Sequence, residues 1–168
     1  MARIDFAFGA PERLRMACEV VRKHYLSGRR IVVYTQNTQL LARFDRLLWG
    51  FDATAFIPHV DATDPLASQT PVLLTSNAPV PPAANTEGNT SSLHVEAAAG
   101  LSKAPWLVNL DTNCPPNIQS FERVLEIVSN DPDDTTAARE RWRQYKTEGH
   151  TLHAHDVSSR PLASSRAD

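Results

Sequence analysis

The chain has 168 residues, 42% hydrophobic and 21% charged, with a formal net charge of -2, a composition that suits one folded domain and not a disordered segment. That charge excludes bulk attraction to nucleic acid or anionic membrane, so an electrostatic partner has to meet a local patch. No apolar run approaches the roughly 18 residues of a membrane span or the pattern of a signal peptide. Two distant cysteines, Cys18 and Cys114, read as free thiols, so a cytoplasmic protein is expected.

Arg3 to Phe8 alternates polar and apolar residues, which predicts a half-buried strand broken by Gly9 and Pro11. Pro11 suits a first helical position. From Glu12 to Ser27, Leu14, Ala17, Cys18, Val21 and Tyr25 fall at helical spacing, and Gly28 suits the left-handed residue after a helix end. Ile31-Val32-Val33-Tyr34 reads as a strand buried on both faces. Asn37 or Thr38 caps a helix whose stripe is Leu40, Leu41, Phe44, Leu47 and Leu48, closed by Trp49-Gly50-Phe51.

Ala55 to Ile57 is a brief strand candidate stopped by Pro58, and Val72 to Thr75 is another. Between Ser76 and Lys103 the chain turns to Pro, Ala, Asn, Thr, Ser and Gly, which predicts a mobile loop insertion. Trp106 to Leu110 resumes as a strand, and Arg123 to Ser129 is read as strand from its short length and β-branched content. Asp133-Asp134-Thr135 caps a last helix that runs through Glu148 and stops at Gly149, with residues 157–168 a flexible tail. Strand–helix alternation with short connections predicts a single α/β domain over 1–156, with a helix-covered and mostly parallel sheet.

Little of this carries chemistry. A nucleotide site at the end of the first strand needs glycines where backbone amides approach phosphate; the connection Phe8-Gly9-Ala10-Pro11-Glu12-Arg13 offers one, and the chain has only six. His150, His153 and His155 with Asp156 invite a metal, yet no second cluster supplies further ligands, so solvent-exposed histidines on a terminal strand are expected. His59 has no nucleophile motif beside it, and Asp131, Asp133 and Asp134 are explained by the helix start that follows them.

One helix face stands out. Arg139, Trp142, Arg143 and Lys146 lie at i, i+3, i+4 and i+7, with Ala138 and Tyr145 in the neighbouring sector that packs on the sheet. Three cations beside an indole suit an acidic peptide with an apolar or aromatic end, although spacing alone fits a solvated basic face as well. Trp49, Phe51 and Phe56 crowd a second short segment, open to core packing or to an interface.

Three stretches together resemble the chi subunit of the bacterial DNA polymerase III clamp-loader complex. They are Tyr25-Leu26-Ser27-Gly28-Arg29-Arg30-Ile31-Val32-Val33, Leu47-Leu48-Trp49 followed by Phe56-Ile57-Pro58-His59, and Ala138-Arg139-Glu140-Arg141-Trp142-Arg143-Gln144-Tyr145-Lys146. The resemblance implies a Rossmann-like three-layer α/β fold with no nucleotide site, no cofactor and no catalysis of its own. It implies a monomer within a heteromeric complex that reaches DNA only indirectly. One partner would be the acidic C-terminal tail of single-stranded DNA-binding protein (SSB), held by Arg139, Trp142 and Arg143, with Lys146 added from the spacing. The other would be the psi subunit, met by Trp49 and Phe56. Asp52 replaces a proline of the family pattern at that second surface. The competing readings are a direct single-stranded nucleic-acid binder using the same helix and an α/β enzyme built around His59.

Overall fold

Seven strands make one sheet in which every neighbouring pair is parallel, in the order β3-β4-β2-β5-β6-β1-β7. In this computed structural model, which describes residues 2–51, 56–81 and 104–158, the strands are β1 (Arg3–Ala10), β2 (Ile31–Tyr34), β3 (His59–Asp61), β4 (Val72–Thr75), β5 (Trp106–Asn109), β6 (Arg123–Ser129) and β7 (Thr151–Asp156). Among the described residues three helices flank them: α1 (Arg13–Leu26), α2 (Thr38–Gly50) and α3 (Pro132–Thr147).

Both sheet faces are covered, as parallel pairing requires of its strands. Met16, Ala17 and Val21 of α1 and Leu41, Phe44 and Leu48 of α2 pack on Ile31, Val33, Val72 and Val108. Ala138 and Tyr145 of α3 pack on the other face with Ile4, Phe6, Val32 and Val124. The result is a three-layer α/β fold. All four residues of β2 and of β4 are buried, which is why those strands read as unbroken apolar runs.

The helix ends follow local chemistry. Asn37 caps α2 by accepting the Leu40 N–H at 3.0 Å. Beyond α1, Gly28 has φ 80°, and the N–H groups of Arg29 and Gly28 return to the carbonyls of His24 and Tyr25. Gly149 repeats the arrangement after α3, with φ 84° and N–H bonds from His150 to Tyr145 and from Gly149 to Lys146. This double closure requires the left-handed residue that glycine adopts without strain. Gly149→Ala is therefore expected to cost about 1–2 kcal/mol, lowering Tm by roughly 2–8 °C. A melt followed by circular dichroism checks it, and an unchanged Tm would contradict the argument.

Several boundaries differ from the sequence reading. β1 continues through Gly9 (φ 83°) to Ala10, with a register shift between Ala7 and Ala10; a glycine bulge bends a strand without ending it. Gly9 is also closely approached, since a Cβ there would stand 3.0 Å from Ser158 Cβ. Pro11 stays outside α1, which begins at Arg13.

The strand expected around Ala55–Ile57 is instead β3, beginning at His59. Pro58 cannot donate to a ladder, so pairing starts just past it, and Ile57 is buried as core. The last helix starts at Pro132 and not within Asp133–Thr135, because Asp131 is the cap and accepts the Asp133 N–H at 2.8 Å. Asp52 and Ala55, residues 82–103 of the expected insertion and residues 159–168 of the expected tail lie outside the described residues. Val157 is buried and donates its N–H to the Phe8 carbonyl at 2.9 Å.

Candidate partner-binding surfaces

α3 brings the four residues of the basic-aromatic face together. Arg139, Arg143 and Lys146 are exposed, while Trp142 is half-buried with its ring edge-on to Phe6, centroids 5.0 Å apart. Arg139 and Lys146 form no ion pair with another described residue. Arg143 does: its Nη1 lies 2.9 Å from Glu140 Oε1, both groups exposed. An exposed i,i+3 pair contributes at most about 0.5 kcal/mol, so a carboxylate from a partner can displace it.

What holds this face at one angle is a residue between its members. Arg141 is 2% exposed and points inward, its Nε donating to Glu126 Oε2 at 3.0 Å and its Nη1 to the Thr112 carbonyl at 2.9 Å. Glu126 is fully buried in β6, and its Oε1 accepts from Tyr145 Oη at 2.6 Å and Asn109 Nδ2 at 2.8 Å. Burial raises the Glu126 carboxyl above its ordinary pKa, while Arg141, Tyr145 and Asn109 pull it back. Burial, followed by the Glu126 charge, likewise pushes the Tyr145 phenol up. Arg141 and Tyr145 stand one turn apart and clamp α3 to β6, which turns Arg139, Trp142 and Arg143 outward. The sequence reading passed over both charged residues of the clamp. Their signal was a lone carboxylate in the apolar run Val124-Leu125-Glu126-Ile127-Val128, which a fold can bury only beside a donor.

The second surface lies at the end of α2. Trp49 is 53% exposed and Phe56 62%, and their rings pack at a tilt of 34° with centroids 5.1 Å apart; Phe51 is half-buried against the core. His59 lies beneath, its ring 4.5 Å from that of Trp49. It is buried, with Nδ1 2.7 Å from the Ile57 carbonyl and Nε2 3.0 Å from Asp45 Oδ1. These contacts make His59 a support for the aromatic pair. Two rings packed on each other and left in solvent form an exposed apolar patch.

At the carboxyl ends of the strands, where open α/β sheets place ligands, the chain fills its own crevice. Arg13 donates from Nε to the Ile127 carbonyl at 2.9 Å, from Nη1 to Leu110 at 3.0 Å and from Nη2 to Asp111 at 3.3 Å. Of the terminal histidines, His153 and His155 are exposed as expected, whereas His150 is not. Its Nδ1 accepts the Ala2 N–H at 3.2 Å and its Nε2 lies 3.2 Å from Glu148 Oε2, with the side chain 4% exposed. The Schellman turn at Gly149 swings that ring back against the start of β1. Among the described residues no three His, Cys, Asp or Glu side chains group to hold a metal, and no helix is long and apolar enough to cross a membrane.

Comparison with known proteins adds the lineage. The family model described as DNA polymerase III chi subunit, HolC, matches residues 1–153. The DNA polymerase III subunit chi of Pseudomonas aeruginosa is 28% identical over 159 residues, 92% of this chain and 96% of that protein. Its counterparts in Haemophilus influenzae and Escherichia coli are 22% identical over 142 residues (84% and 85% of the two chains) and 24% over 138 residues (82% and 81%). A match that runs from β1 into β7, through both aromatic surfaces and the Glu126–Arg141 clamp, leaves one assignment: the chain belongs to the DNA polymerase III chi subunit family.

Proposed function

We propose that this protein is a non-catalytic accessory subunit of DNA polymerase III that binds the acidic C-terminal tail of SSB and docks on the clamp loader through psi. On this reading it works in the cytoplasm, as a monomer within a heteromeric complex, and couples the replicase to SSB-coated lagging-strand template. The observation that carries it is the α3 face: two guanidiniums and an ammonium stand in solvent around a half-buried indole, on a helix whose rotation is fixed from below. Arg139 and Arg143 suit the carboxylates of an acidic tail, Trp142 the wall of a slot for its apolar last side chain, and Lys146 longer-range attraction. Trp49 and Phe56 form the second, aromatic contact, for psi, and the domain that carries both surfaces extends over 1–156.

The test is a calorimetric titration with an acidic peptide ending in Pro-Phe, beside the same peptide amidated at its C-terminus. The free acid is expected to bind at roughly micromolar Kd, weakening with salt. Arg139→Ala removes a charge-assisted contact of about 1.5–3 kcal/mol, roughly a 10- to 100-fold loss, and amidation should cost a similar factor. Absence of binding by the free acid would overturn the reading. Tight uptake of bare oligonucleotide in its place would favour the nucleic-acid reading of the same helix.

A further inference from the structure

On the α1–α2 side of the sheet the helices stop short of the β1–β7 edge. α1 packs over β6 and β2, and α2 over β4, while β7 is exposed along its length apart from half-buried Leu152. Between α1 and that edge lies an open groove of about 220 Å³. Met16 and Val20 of α1, with Leu125 of β6, give it an apolar floor, and Lys23, Arg123 and His155 stand at its rim. Met16, Val20 and Lys23 are spaced i, i+4 and i+7, one face of the helix.

Charge gathers at one end of this groove. Asp5, 2% exposed, is wrapped by Arg123, by Arg3 at 3.1 Å and by His155 at 3.0 Å. Arg3, Lys23 and Arg123 gather here around the Asp5 carboxylate, and Glu126, which also borders the groove, is neutralised by Arg141. This end therefore carries more positive than negative charge, in a chain whose net charge is -2. Lys23 is exposed and forms no ion pair with another described residue. His24, beside it, is held down to about 4, first by burial and then by Arg123, Lys23 and Arg29, so the imidazole stays neutral where the field is already positive.

We propose that this groove is a second docking site, independent of the α3 face, for an acidic peptide segment that pairs a carboxylate with an aliphatic side chain. Its volume falls below the roughly 300–1,000 Å³ of cofactor and small-molecule pockets and fits one or two side chains. Nucleic acid is the poorer occupant, because stacking needs a free ring. The nearest indole, Trp106, already carries the guanidinium carbons of Arg29 at 4.2 Å and Arg123 at 4.4 Å from its centroid, with His24 edge-on at 4.7 Å.

The test uses the full chain, isotope-labelled for NMR, and the probe acetyl-Asp-Glu-Leu-Asp-Leu-amide, whose blocked C-terminus removes the group the α3 face is built to read. Shifts are expected at Val20, Lys23, Leu125 and His155. Lys23→Glu should weaken binding by roughly 10- to 100-fold and Lys23→Ala by less. Lys23→Glu, which reverses a cation in the last turn of α1, should lower the melt by no more than a few degrees, and Lys23→Ala by less still. Arg139→Ala should leave the affinity alone, and serine in place of both leucines of the probe should weaken it. The proposal is overturned by unperturbed groove residues at millimolar probe, by shifts confined to α3, by equal affinity of Lys23→Glu, or by an oligothymidylate that displaces the probe from the same residues.

Discussion

Arg141→Ala is expected to destabilise the fold by about 3–5 kcal/mol, because it leaves the fully buried Glu126 carboxylate without its cation. Against a total stability of roughly 5–15 kcal/mol for a domain, that is a large share, and Tm should fall by roughly 6–20 °C. The loss belongs to the orphaned charge more than to the pair itself. Replacing Arg141 by methionine and Glu126 by glutamine together should therefore recover part of it, since the amide oxygen still accepts from Tyr145 and Asn109 while its N–H groups face the methionine without an acceptor. Urea melts of the two single variants and the double variant close the cycle. Single variants that each melt within 1 kcal/mol of the parent would show that the clamp does not secure α3.

If Trp49 and Phe56 form the proposed contact with psi, Trp49→Ala is expected to weaken that binding by about 2–4 kcal/mol, roughly 30- to 1,000-fold, while lowering stability little. The indole is half in solvent and touches the fold through Phe56 and His59. Phe56→Ala should give a smaller loss, and the double variant less than the sum, because each ring forms part of the other's surroundings. The measurement is a titration of psi into each variant beside a thermal melt. Affinity within threefold of the parent would remove this surface from psi docking, and a collapsed melt would make the pair a structural element.

Much of the architecture was legible in the sequence because its elements agree locally. Ile31–Tyr34 and Val72–Thr75 are too apolar to lie anywhere but inside a sheet, and Gly28 and Gly149 mark helix ends that need a left-handed residue. The misread boundaries have local causes, since a glycine can bend a strand without ending it and a proline can delay pairing by two residues. Of the α3 face, the grouping of Arg139, Trp142, Arg143 and Lys146 follows from helical spacing. The inward turn of Arg141 within the same basic run does not. It depends on Glu126, 15 residues earlier, and a contact between elements has no period to reveal it. The groove at Lys23 escaped for a similar reason, because it unites α1, β6 and β7, which the sequence keeps far apart.

The place of β1 in the sheet also sets an order of assembly. Its partners are β6 and β7, and Arg3 pairs with Arg123 and Thr151, so the strand lies 120 and 148 positions upstream of the residues beside it. At roughly 5–20 residues per second of synthesis, the first pairing partner is made about 6–24 s after β1 itself. During that interval Ile4 and Phe6, both buried in the finished core, have no sheet to enter, whereas β2 and β4 are separated by only about forty residues and can meet early. β1 is thus made well before the strands that seat it. A stalled or shortened chain would present it as an unpaired apolar edge, the kind of segment that chaperones recognise and that aggregates recruit.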